Sequence, residues 1–111
     1  MSNVFQEVFK FNDTRRLIEK GYKESKEASF ITEELTELLR TDDIEQKVDG
    51  YADIIVFAIG SILKLGYNPE IVLDEVTRHI NSEVGGLFNE EAQKYIKGTR
   101  MYKADLSKAK L

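Results

Sequence analysis

The chain has 111 residues, 41% of them hydrophobic and 32% charged, a composition that predicts one soluble globular domain with a modest core. It has no cysteine, which excludes a disulfide framework, a thiolate zinc site and cysteine nucleophilic catalysis. Its formal net charge of −4 argues against a nucleic acid polymer as partner, and its longest apolar stretch, residues 54–63, falls well short of the roughly twenty residues that a membrane-spanning helix needs.

Near the start, Val4, Phe5, Val8, Phe9 and Phe11 are compatible with a short amphipathic helix, and the charged stretch 13–27 after it carries no clear period. Ser25 is read as the N-cap of a helix reaching Arg40, with Ala28, Ile31, Leu35 and Leu38 as its apolar stripe. Glu34 flanks that stripe, and Glu37 lies roughly 60° further round, so both acids are expected at the border of the core face. A longer helix should run from Glu45 to Leu65 and end at Gly66. Its stripe is Val48, Ala52, Ile55, Ile59 and Ile62, and Ile54, Val56, Phe57 and Ala58 make its other sides apolar as well. So short a chain has few helices to cover it, which predicts a homodimer or homotetramer.

Asn68-Pro69-Glu70 starts a further helix, with the stripe Leu73, Val76, Ile80 and Val84 and an expected end at Gly85-Gly86. Asp74, Arg78 and Asn81 share a second face able to meet a polar ligand. Residues 87–111 read as a loop or short hairpin and a tail, with Gly98 as the turn. From Lys94 onward, Lys94, Lys97, Arg100, Lys103, Lys108 and Lys110 stand against Asp105 alone, so a basic segment succeeds an acidic body. The expected fold class is all-α: an oligomeric bundle of about four helices per chain with an irregular basic C-terminal segment. No basic-then-apolar leader opens the sequence, so a cytoplasmic setting is expected.

Two carboxylate pairs stand out. Glu34 and Glu37, then Asp49 and Asp53, sit three and four residues apart, so each pair projects from one face of its helix. Hard divalent cations take oxygen ligands, and Mg²⁺ is held by few carboxylates with positions left for water and substrate phosphates. An acid entering an otherwise apolar helix demands compensation, which a cation supplies. A di-iron bundle would need two Glu-x-x-His motifs, and His79, the sole histidine, comes three residues after Val76. No glycine-rich phosphate loop is present.

The order Glu34-x-x-Glu37, then Asp49-Gly50-x-Ala52-Asp53 on an apolar helix, then Gly66-Tyr67-Asn68-Pro69 resembles the all-α MazG-like nucleoside triphosphate pyrophosphohydrolases. Within them it is similar to the phosphoribosyl-ATP pyrophosphohydrolase-like branch, whose last helix carries Glu-Val-His-Arg-Ser-Asn-Met-Ser-Lys before a lysine-glycine segment. Here the counterparts are Glu75-Val76-Thr77-Arg78-His79-Ile80-Asn81-Ser82-Glu83, Lys94-Tyr95-Ile96-Lys97-Gly98, Tyr102 and Ala104-Asp105-Leu106, so the resemblance spans about 28–106 of one domain, 1–111. Two positions depart from it. Gly50 stands where the MazG motif has a glutamate, leaving Asp49 to serve, and Ile80 and Glu83 replace a phosphate-contacting asparagine and lysine.

The resemblance implies cleavage of a nucleoside triphosphate between the α and β phosphates to a monophosphate and pyrophosphate. Glu34, Glu37, Asp49 and Asp53 would hold Mg²⁺, or Mn²⁺, and Glu33 would orient or deprotonate the attacking water. Arg78, Lys94 and Lys97 would neutralise the leaving pyrophosphate, with Asn81 as a shifted phosphate contact. Phe30, Tyr51 and Tyr102 are candidates to stack on a base and equally candidates for the core. The competing reading is a catalytically altered or inactive helical oligomer that binds nucleotide or protein.

Overall fold

The computed structural model describes residues 3–111, which fall into two compact units divided after Pro69. The fold class is all-α, as expected, with five α-helices among the described residues and a small amount of strand.

In the first unit, α1 (Val4–Thr14) starts at Asn3, whose side chain accepts a hydrogen bond from the Phe5 amide at 2.8 Å. The charged stretch without period resolves into a short helix, α2 (Leu17–Lys20), set off by Arg16 in the left-handed region and by Gly21 at φ 78°. Next comes α3 (Glu24–Arg40), with Lys23 at the N-cap position. The expected cap, Ser25, lies inside the first turn instead. Glu24 and Glu27 in that turn complement the helix dipole without a capping side chain. α4 (Ile44–Lys64) starts at Asp43, which accepts from the amides of Glu45 and Gln46. It ends as expected at Gly66, whose φ of 92° lets the Gly66 and Tyr67 amides return to the carbonyls of Leu63 and Ile62.

The core of this unit is Val8 of α1 with Ile59 and Leu63 of α4, and Phe5 packs against them. The predicted stripes of α3 and α4 are buried only in part: Leu38 and Ile59 are buried and Ile31 and Ile62 half-buried, while the remaining stripe residues are exposed. On α3, Leu38 is buried, Ile31 and Glu34 are half-buried, Glu27 is buried, and Leu35 is exposed. On α4, Gly50, Ile59, Gly60 and Leu63 are buried, whereas Val48 and Ile55 are exposed. The cause is that polar and small residues share the seam between the two helices, so a count of apolar positions finds only part of the buried face.

That seam is antiparallel, and its partners descend α3 as they ascend α4. Leu38 meets Gly50, the Phe30 and Phe57 rings stack at 5.5 Å, and Glu27 accepts from Ser61 Oγ and Lys64 Nζ at 2.8 and 3.0 Å. A side chain at Gly50 would place its Cβ 2.9 Å from the Leu38 Cβ, an atom fixed to the backbone of the facing helix. At the loop, Lys47 Nζ donates to the Leu38 carbonyl at 2.8 Å and serves one of the free carbonyls at the α3 end.

In the second unit, α5 (Pro69–Asn81) stops before Gly85-Gly86, so Val84 belongs to a strand and not to the helical stripe. The chain then forms one interrupted antiparallel hairpin. β1 (Glu83–Val84) pairs with β4 (Thr99–Arg100), and β2 (Leu87–Asn89) pairs with β3 (Lys94–Ile96) in continuing register. The turn is at residues 90–93, where Gln93 has φ 52° and the Asn89 side chain accepts from the Ala92 amide. Gly98 lies in the break between β3 and β4 and is not the turn.

The basic segment is also less free than expected. Arg100 Nε pairs with Glu83 at 3.2 Å, and Lys108 Nζ pairs with the buried Glu75 at 3.2 Å. Tyr102 fastens the returning chain to α5. Its amide donates to Ser82 Oγ at 2.8 Å, its carbonyl accepts from His79 Nδ1 at 2.6 Å, and its hydroxyl donates to Glu75 at 2.6 Å. Beyond it lies a 3₁₀ turn, Leu106–Ala109, capped by Asp105.

Replacing Gly50 by alanine tests the seam. In an isolated helix the change would gain up to about 1 kcal/mol, but overpacking of an interior typically costs about 1–3 kcal/mol. The expected outcome is a net loss of stability in urea unfolding.

The acid groups of the second unit set its pH response. The Tyr102 hydroxyl, and then Lys108, hold the Glu75 carboxyl below its ordinary range against the opposing effect of burial; Tyr95 and Arg100 do the same for Glu83. Lys108 is raised, first by its hydrogen bond to Glu75. Depressed carboxylates stabilise above their unfolded values and lose that contribution as pH falls through their lowered ones; the raised lysine stabilises until pH climbs through its elevated value. The ring resonances of Tyr102 and Tyr95 should therefore keep native shifts across neutral pH and lose them below the ordinary glutamate range, and those of Tyr102 again above the ordinary lysine range.

Candidate metal and nucleotide site

The α3–α4 turn is built to hold its two helices at a fixed distance. Thr41 Oγ1 contacts Gln46 Oε1 at 2.6 Å and accepts from the Asp43 amide, while Asp43 caps α4. Close approach at Leu38 and Gly50 then brings the acids of the two helices to one recess of about 170 Å³. Glu34 and Glu37 come from α3 and Asp49 from α4, with Leu38, Gly50, Thr41 and Gln46 completing the wall.

Asp53 stands beside Glu34. The Glu34 carboxyl is pushed up, first by burial, then by the charge of Asp53, by that of Glu37, by a hydrogen bond with Asp53 and by the charge of Asp49. The other three predicted acids thus all act on Glu34. Glu34 and Asp53 are half-buried, and Glu37 and Asp49 are exposed at the rim.

Among the described residues, no three acidic or histidine groups stand in a geometry that could hold a metal ion as they are. The chemistry of the donors nevertheless fits a hard divalent cation. They are all carboxylate oxygens, they crowd negative charge into a partly desolvated recess, and they leave a side open for water and phosphate.

The remaining candidates are placed elsewhere. Glu33 is exposed on α3 and does not belong to the wall of the recess. Arg78 and Asn81 line a separate shallow recess of the second unit, about 450 Å³, with Asp74, Thr77 and Ser82, as the shared face of α5 predicts. The Arg78 guanidinium lies 5.1 Å from the Tyr102 ring centre, a cation–π contact. Lys94 on β3 and Lys97 beyond it are exposed on the hairpin, outside that recess. Of the aromatic candidates, Tyr102 is occupied in tying the C-terminal segment to α5, Tyr51 is exposed, and Phe30 stacks on Phe57.

Sequence reasoning missed Glu27 and Asn12, both buried polar residues of the first unit. Glu27 shares a face with Glu34 two turns along α3, so helical spacing carried the signal. Asn12 showed no such signal, because it comes directly after Phe11 on a helix read only for its apolar residues.

Among the described residues no helix is long and apolar enough to cross a membrane. The family model described as phosphoribosyl-ATP pyrophosphohydrolase matches residues 5–79, which takes in all four acids, Arg78 and His79 but stops before the lysine-glycine segment. No curated protein and no solved structure matches the chain. With the match extending over more than half of its length, the chain belongs to the phosphoribosyl-ATP pyrophosphohydrolase family, a branch of the MazG-like nucleoside triphosphate pyrophosphohydrolase superfamily.

Proposed function

We propose that this protein is a Mg²⁺-dependent nucleoside triphosphate pyrophosphohydrolase that adds water across the α–β phosphoanhydride and releases a nucleoside monophosphate and pyrophosphate. Family membership implies a nucleotide pyrophosphohydrolase-type activity. The observation that carries the finer reading is the gathering of Glu34, Glu37 and Asp49 on one recess with Asp53 against Glu34.

Glu34, Glu37, Asp49 and Asp53 would hold the cation, Mg²⁺ or Mn²⁺. Bound there, it supplies charge neutralisation of the triphosphate and acidification of a water ligand. Glu33, one residue from the site, would orient or deprotonate the attacking water from outside the metal set. Arg78, Asn81, Lys94 and Lys97 are proposed to contact phosphate oxygens as hydrogen-bond donors, three of them as cations. The family match crosses from one unit into the other, which supports treating residues 1–111 as a single MazG-like domain; a cytoplasmic setting is part of the proposal.

One observation favours the competing reading of an altered or inactive binding module. Glu83, at the position of the family's phosphate-contacting lysine, is engaged by Tyr95 and Arg100 within the hairpin, and so serves the architecture of that segment.

Pyrophosphate release across ribo- and deoxynucleoside triphosphates separates the two. Turnover with Mg²⁺ or Mn²⁺ that a chelator abolishes is expected. Glu37→Gln or Asp49→Asn should lower it on the order of a hundredfold while leaving the melting temperature nearly unchanged, since both side chains are exposed. Added Mg²⁺ should raise the melting temperature, by about 2.7 kcal/mol of linkage at a hundred times the dissociation constant. No shift at millimolar metal, together with no turnover, would favour the module.

We also propose that the chain works as a homodimer or homotetramer. Leu35 and Leu39 on α3 with Ile44, Val48, Tyr51 and Ile55 on α4 are exposed, Ile44 to 76% and Leu39 to 69%, an apolar extent that monomers rarely leave uncovered. Sedimentation equilibrium should give two or four chains, and a double substitution Val48→Glu, Ile55→Glu should shift the protein to monomer.

A further inference from the structure

A second recess of the first unit, about 330 Å³ and walled mainly by apolar atoms, lies along the same helix seam as the acids. Its aromatic wall is the stacked pair Phe30 and Phe57, and Asn12, Gly60, Glu27 and Lys64 also line it. Glu27 and Lys64 neutralise each other at 3.0 Å. Asn12 differs from them. It is 5% exposed and its Nδ2 donates to the Val8 carbonyl one turn back; among the described residues no side-chain polar atom sealed from solvent lacks a partner, so its Oδ1, which receives no protein donor, is left open to the recess. Gly60 keeps the space before that amide open, because a Cβ there would lie 3.4 Å from Nδ2 and 3.7 Å from Oδ1.

The position of this recess identifies its occupant. On α3, Phe30 precedes Glu34 by four residues and Glu37 by seven, and on α4, Phe57 comes four residues after Asp53, so each ring shares a face with the acids. At 1.5 Å per residue the rings stand about 6 Å from the first acids along the helix axis, the kind of spacing that a sugar spans between a base and its first phosphate. Apolar, aromatic-lined cavities with few convergent polar groups are where planar heteroaromatic ligands are held, and a cavity of this size is at the small end of such sites.

We propose that this recess is the base subsite of the nucleotide whose phosphates are handled at Glu34, Glu37, Asp49 and Asp53, with the stacked pair Phe30 and Phe57 as the wall the base lies against and the Asn12 amide reading its hydrogen-bonding edge. The assignment rests on the pyrophosphohydrolase reading for the identity of the ligand. Base affinity comes from the rings, which treat all bases alike, whereas discrimination comes from Asn12, because an amide left unpaired on the wrong edge loses its hydrogen bonds.

The test uses the full chain and nucleosides without phosphate, in the absence of divalent metal, so that it does not depend on hydrolysis. Adenosine, guanosine, cytidine, uridine and their deoxy forms are titrated while amide and side-chain resonances are tracked by NMR. At least one should move the Asn12 side-chain signals and the amides around Phe30, Phe57 and Gly60 more than those of Glu37 and Asp49. Phe57→Leu, which preserves apolar bulk, should weaken binding roughly five- to a hundredfold, within the range of base–aromatic stacking. Asn12→Leu should bring the ratio between the best and worst base toward one. Should Asn12→Leu not fold, Phe57→Leu and the pattern of shifts in the unaltered protein decide the matter. Binding of nucleosides at the recess without triphosphate hydrolysis would uphold the base subsite and sink the hydrolase. Hydrolysis with no nucleoside-induced shift at the recess, or with an unchanged KM in folded Phe57→Leu, would overturn the subsite alone.

Discussion

The contact between Leu38 and Gly50 governs the first unit. With a glycine on α4 at this point, the backbone of one helix comes against the side chain of the other, and the acids that flank the contact are drawn to a shared recess. The position carries a glutamate in the MazG motif, and in this chain that glutamate could not be accommodated without forcing the helices apart. Loss of the side chain and closeness of the helices are therefore linked, and Asp49, exposed at the rim one residue earlier, is the acid that the recess retains.

Much of this architecture was legible in the residues. The helices were marked by their periods and by Gly66 and Pro69, and the two acid pairs were marked by spacing. What could be read only in part was which face of each helix is buried: Leu38 and Ile59 are in the predicted stripes and are buried. Leu35, Val48 and Ile55 satisfy every sequence criterion for a core stripe and yet are exposed, since the seam prefers glycine, stacked rings and a bonded acid. Periodicity reports apolar area, and an apolar face destined for another chain looks the same as one destined for the core.

The second unit was harder to read for a different reason. Its strands are two or three residues long, too short for alternation to register, and its cohesion comes from polar pairs distant in sequence. Glu75 with Tyr102 and Lys108, and Glu83 with Tyr95 and Arg100, convert what looks like a basic tail into a folded return. Such networks depend on complete satisfaction, because a buried acid that loses its partners becomes a liability.

The Glu27–Lys64 pair, backed by Ser61, lies at the far end of the α3–α4 seam from the Asp43 turn. Sliding one helix past the other by a turn would strand that carboxylate among apolar groups, so alignment is clamped at both ends by polar devices. Between the clamps Gly50 must stay small, but the rings are spared the task of keeping the helices in step. Descendants of this sequence can exchange Phe30 and Phe57, and so drift from one ligand to another, while the scaffold stays in place.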